Sequence, residues 1–129
     1  MILVTGGTGF IGGHLIRHLA DLGMDYRLLL QPGIDQSNLP RQTNMHVALS
    51  SLDDERGVRA ALQGIDTVYH LVGVERSGVK ADLMQTEVSH LDRLTGLAAQ
   101  AGVRRFFYLS HLGADRASAY GLMKAKGVA

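Results

Sequence analysis

The chain has 129 residues, 46% apolar and 19% charged, and its thirteen Lys and Arg against twelve Asp and Glu leave a formal charge of +1. That size fits one globular domain and leaves no room for a second, and the charge balance argues against nucleic acid or an anionic membrane surface as partner. With no Cys, no apolar run of bilayer-spanning length and no basic flank or cleavage site in the opening MILVTGG, the composition excludes disulfides, thiolate chemistry, a membrane span and a signal peptide, so a soluble cytoplasmic protein is expected.

Residues 1–5 form an apolar, β-branched run ending at glycine, the pattern of a buried strand. Residues 10–22 follow with Ile11, Leu15, Ile16, Leu19 and Leu22 at helical spacing and Gly23 as the stop. Residues 26–30 predict a second strand, closed by the turn signal Gln31-Pro32-Gly33, and 34–44 a polar loop. Residues 45–49 predict a third strand, and 53–62 a short helix whose Asp53, Asp54 and Glu55 suit the positive end of its dipole. A fourth strand is expected over 66–72. One continuous helix is expected over 80–100, with Leu83, Met84, Val88, Leu91, Leu94, Leu97 and Ala98 on its apolar side. Residues 105–109 predict a fifth strand and 118–126 a last helix. Fully apolar strands alternating with helices imply a doubly wound α/β fold, a parallel sheet covered on both faces. Right-handed crossovers give the strand order 3-2-1-4-5 with a ligand crevice between the first and fourth strands.

The first strand runs into Thr5-Gly6-Gly7-Thr8-Gly9-Phe10-Ile11-Gly12 and then into a helix. That context points backbone N–H groups and the positive helix end at a pyrophosphate. Two spacings coexist: Gly7, Gly9 and Gly12 match G-x-G-x-x-G, while Gly6, Gly9 and Gly12 match T-G-x-x-G-x-x-G. Either predicts a dinucleotide, with Thr8, Gly9, Phe10, Ile11 and Gly12 against its phosphates. A turn that merely needs glycines is the bland alternative. A triphosphate loop is excluded because no Gly-Lys-Ser or Gly-Lys-Thr is present.

The stretch VTGGTGFIGGHL resembles the N-terminus of the short-chain dehydrogenase/reductase superfamily, in its extended and atypical branches. GIDTVYHLVG (64–73) resembles the fourth strand and the small-residue motif beside the nicotinamide ribose, which the resemblance assigns to Leu71, Val72 and Gly73. Tyr120 and Lys124 fit Y-x-x-x-K. Residues 108–128 are most similar to NmrA-like members and to relatives of the NADPH-binding accessory subunit of respiratory complex I. On a helix the pair would share one face, the ammonium stabilising a phenolate for acid–base work. A solvated i,i+4 pair is the alternative. The resemblance implies that Lys124 also holds the ribose, and that Ser110 or His111 assists Tyr120. It also implies that Glu87 stands where many members carry Asn.

At the end of the second strand, where an acidic residue would take the adenosine ribose of NAD and Arg the 2′-phosphate of NADP, stand Leu30 and Gln31. Loss of the carboxylate tilts the expectation to NADP over NAD, with His14 and Arg41 as supporting cations. Ser51 and Leu52 are the expected adenine contacts. His14 and His18 lack a third ligand for zinc, so no metal site is expected. His70 is expected as a packed residue near the cofactor and Arg104–Arg105 as a solvated pair. Three functions follow: an NAD(P)-dependent oxidoreductase acting on a carbonyl or hydroxyl substrate, a non-catalytic NADP(H)-binding sensor or assembly factor, and a sugar-nucleotide epimerase-like enzyme. Glu87 and the short Ser110–Tyr120 gap weigh against the third. Family members of about twice this length imply that residues 1–129 are a C-terminally truncated dinucleotide-binding domain without its substrate-binding part.

Overall fold

A computed structural model describes residues 1–37, 39–40, 43–73 and 83–129. Its strands are β1 (Ile2–Thr5), β2 (Tyr26–Leu30), β3 (Met45–Leu49), β4 (Thr67–His70) and β5 (Arg105–Tyr108), all parallel and ordered β3-β2-β1-β4-β5. The doubly wound α/β expectation and its strand order therefore hold. Thr5 at the end of β1 is level with Leu29 on β2 and His70 on β4, so the C-terminal ends of the central strands finish together and define one rim.

Alternation along the strands builds two cores. Val4, Tyr26, Leu28 and Leu30 face helix α1 (Phe10–Asp21), where Ile16, Leu19 and Ala20 meet them. Leu3, Leu29 and Val68 face the opposite way, against Val58 and Ala61 of α2 (Glu55–Ala61) and Leu94, Leu97 and Ala98 of α3 (His90–Gln100). Asp54 caps α2 by accepting the Gly57 N–H at 3.1 Å, as the acidic first turn suggested. Arg104 and Arg105 are not merely solvated, because both reach Asp66 and hold its carboxyl down at about 2, with the Arg104 hydrogen bond as the leading cause. Among the described residues no helix is long and apolar enough to cross a membrane.

Two departures from the expected elements shape the site. The helix expected over 80–100 contains a π turn, Gln85–Ser89, just before α3, and its first residues, 80–82, lie outside the described ones. The extra residue of a π turn shifts the buried stripe by one position. Leu83 is accordingly half-buried while Met84 is 47% exposed. The last helix, α4 (Gly121–Val128), starts later than expected because Tyr120 is its N-cap, with extended backbone at φ −87°, ψ 120°.

Candidate dinucleotide cleft

The chain leaves β1 at Thr5 and must turn sharply to enter α1. Gly6 makes that turn at φ +74°, and a Cβ there would lie 2.6 Å from the carbonyl of Leu71 on the neighbouring strand's extension. A Cβ at Gly12 would lie 2.1 Å from the Gly6 oxygen, so helix and turn pack backbone on backbone. Gly9 is the N-cap of α1 and offers no side chain to its donors. The first bond of the helix runs from Gly13 N–H to the Gly9 carbonyl, at 2.8 Å. The N–H groups of Phe10, Ile11 and Gly12 therefore lie ahead of the helix's own ladder, with no acidic side chain in the first turn to compete for them. Of the two spacings in the sequence, the close backbone contacts involve Gly6, Gly9 and Gly12, whereas Gly7 packs against the Leu28 side chain.

This loop forms one wall of a cavity of about 380 Å³. Thr8, Gly9, Phe10, Ile11 and Gly12 face Leu71, Val72 and Gly73 beyond β4, and Leu109 and Lys126 close the end nearest β5. Oriented N–H donors at one wall and an ammonium at the end make a site for an elongated anion. Below the rim, the Thr5 hydroxyl and His70 Nδ1 are 2.7 Å apart, tying β1 to β4. His70 is 1% exposed, and burial above all pushes its pKa down to about 4; the charges of His90 and Lys126 add to that while Glu87 opposes it. The neutral imidazole and the Thr5 hydroxyl share this one hydrogen bond at Nδ1, with its direction set by the ring tautomer.

Lys126 is the cation of this cleft and did not figure among the expected site residues. Its Nζ donates to Glu87 Oε2 at 2.9 Å and to the Leu109 carbonyl at 3.2 Å, and sits 5.2 Å from the centre of the Tyr108 ring. Burial opposes the Lys126 charge, but the hydrogen bond and charge of Glu87 outweigh it and raise the pKa above that of a free lysine. The Tyr108 hydroxyl donates to the same Glu87 oxygen at 3.2 Å, and burial raises its pKa, the wrong direction for a phenol serving as base at neutral pH.

The sequence-predicted catalytic residues stand elsewhere. Tyr120 is 78% exposed and Lys124 is exposed; the contact joining them is the Lys124 N–H to the Tyr120 carbonyl at 2.9 Å. Because Tyr120 precedes the helix, the expected i,i+4 face does not form, and neither side chain lines the cavity. Ser110 and His111 are exposed residues just past β5, with His111 Nδ1 donating to the Leu112 carbonyl at 2.6 Å. Gln31 is exposed at the end of β2. The Ser51 hydroxyl accepts the Asp53 N–H at 3.1 Å, and the Leu52 carbonyl accepts from Arg93 at 3.1 Å, so that loop is clamped to α3. His14 Nδ1 donates to the Phe10 carbonyl at 2.8 Å, and no metal-binding cluster occurs among the described residues. Arg41 lies outside them.

Residues 2–124 match the NAD dependent epimerase/dehydratase family. The 3 beta-hydroxysteroid dehydrogenase/Delta 5→4-isomerase of Mycobacterium tuberculosis is 31% identical over 117 residues, covering 84% of this chain and 31% of that protein. Subunit 9 of the mitochondrial NADH dehydrogenase (ubiquinone) 1 alpha subcomplex of Rattus norvegicus is 27% identical over 129 residues, covering 97% of this chain and 34% of that protein. The crystal structure of gox2253 superimposes with a TM-score of 0.82 at 27% identity, covering 99% of this chain and 44% of that one. The chain thus spans about a third of the length of the curated relatives it matches. With a matched region that takes in the glycine turn, every cleft-lining residue except Lys126 and all five strands, the chain belongs to the NAD dependent epimerase/dehydratase family.

Proposed function

We propose that the cleft binds a nicotinamide adenine dinucleotide as the cofactor domain of an NAD(P)-dependent oxidoreductase of the atypical, NmrA-like kind. The observation that carries this is the side-chain-free turn from Gly6 to Gly12, whose helix N-terminus faces Lys126 across one cavity. The N–H groups of Phe10 and Ile11 hold the pyrophosphate, the backbone of Leu71, Val72 and Gly73 walls the nicotinamide half, and Lys126 donates to its ribose. When bound, the dinucleotide supplies or accepts a hydride at a substrate carbonyl or hydroxyl carbon. Tyr120 is then the group to pass the substrate proton, with Lys124, Ser110 and His111 as its neighbours in sequence. Leu30 is buried and Gln31 carries no charge, so nothing at the end of β2 repels a 2′-phosphate, which supports NADP(H) over NAD(H).

A second reading, binding without turnover, is favoured by one observation. The residue four before Lys126 is Leu122, and neither Tyr108 nor Tyr120 lines the cavity. Titration with NADPH and NADH, followed by nicotinamide fluorescence, tests the binding. Gly9→Val is expected to abolish it; a Cβ there would lie 3.3 Å from the Gly6 carbonyl oxygen, a tight backbone contact, so circular dichroism on the variant checks that the fold is retained. An unaltered fluorescence titration in Gly9→Val refutes the cleft assignment. Tyr120→Phe then separates the two readings: loss of substrate-dependent NADPH oxidation with retained binding supports the enzyme, and its absence in both proteins supports the binder.

A further inference from the structure

A carboxylate removed from water must be compensated in charge and hydrogen bonding. Glu87, within the π turn, is 1% exposed, and its Oε2 receives Lys126 Nζ at 2.9 Å and the Tyr108 hydroxyl at 3.2 Å. An ammonium has three donors. Glu87 and the Leu109 carbonyl accept two of those of Lys126, and the Tyr108 hydroxyl interacts with the same ammonium, which lines the cleft. The wall beside the pair is bare backbone: a Cβ on Gly73 would lie 3.3 Å from Glu87 Oε1 and 3.8 Å from Lys126 Nζ. Both charges therefore act on whatever lies against Gly73.

Resting on the cofactor reading above, we infer that Glu87 balances the charge of Lys126 and so sets the relative affinity of the cleft for oxidised and reduced dinucleotide. The oxidised nicotinamide ring is a cation and the reduced ring is neutral. A lone buried ammonium at this end of the cleft disfavours the oxidised form alone. Paired with a buried carboxylate its charge is offset, and the penalty is reduced. At an effective dielectric constant of about 20, an uncompensated unit charge about 12 Å away is worth roughly tenfold in a binding constant, and more at shorter range. Glu87 is in this sense a positioning and charge-balancing residue that acts through Lys126.

The test is calorimetric titration of the full chain at pH 8 with NAD⁺, NADH, NADP⁺ and NADPH, with circular dichroism on every variant. Glu87→Gln is expected to raise the ratio of oxidised to reduced Kd by roughly tenfold, the effect of one unbalanced charge. Glu87→Asp, which keeps the charge, is expected to restore the parent ratio. Lys126→Gln removes the positive charge while Glu87 keeps its own and is expected to move the ratio in the opposite direction, so the inference stays open to refutation if Glu87→Gln fails to fold. Equal weakening of both redox forms, with the ratio unchanged in both single variants, overturns the inference and leaves Glu87 a purely structural residue. Failure of the parent chain to bind any of the four dinucleotides overturns the cofactor reading itself, a distinct result.

Discussion

Acid should destabilise this protein through His70 from a pH above the range in which carboxylates protonate. The imidazole lies 1% exposed against Thr5, with Phe106 and Tyr108 within ring-contact distance, and its pKa is pushed down to about 4 from the 6.5 of a free histidine. The folded state therefore resists a proton that the unfolded chain accepts. Stability is undiminished by this group above pH 6.5 and falls as pH drops from there toward 4, at about 1.4 kcal/mol per pH unit. Between pH 7.5 and 4.5 the loss from His70 alone is about 2.5 kcal/mol, a large share of the ~5–15 kcal/mol stability of a typical domain. Urea unfolding followed by far-ultraviolet circular dichroism at half-unit pH steps measures it, with His70→Asn as the control. Asn can still pair with the Thr5 hydroxyl but does not titrate, so this variant starts less stable and shows a shallower pH dependence. Identical pH slopes in the two proteins would refute the argument.

Gly12→Ala is expected to unfold the chain or cost it several kcal/mol, because its Cβ would stand 2.1 Å from the Gly6 oxygen and neither backbone segment can retreat. A thermal melt within a degree or two of the parent would contradict that contact. Asp54→Ala removes the cap of α2 and is expected to cost about 1 kcal/mol in chemical denaturation without altering dinucleotide affinity.

The strands were legible because each is a short apolar run bounded by glycine or polar turns; β2 and β3 fall on the residues the pattern indicated, Tyr26–Leu30 and Met45–Leu49. The glycine turn was legible because its chemistry is local: strand, turn and helix follow one another without a gap. Lys126 was not. Its role depends on where α4 begins, and the conformation of Tyr120 delays that start until Gly121, a matter of backbone angles that residue spacing does not encode. Glu87 carried a readable signal. It lies one helical turn before Leu91 on the stripe continued by Leu94 and Ala98, and a charge on a buried stripe requires a buried partner. The π turn left no comparable mark, since it moves burial between two adjacent apolar residues, Leu83 and Met84.

The central place of β1 has a consequence for how the chain reaches this structure. Ile2 is level with Tyr26 on one side and with Thr67 on the other, so the first strand made is walled on its second side only after more than half of the chain exists. Until then Leu3 and Val4 have β2 and the helices α2 and α1 but no β4, and the turn at Gly6 lacks the Leu71 backbone that packs against it. Closing that distant pairing costs loop entropy before it returns any contact, which makes it a slow step in assembly. The anion-binding turn is thus encoded in the opening residues of the chain and takes its final shape late.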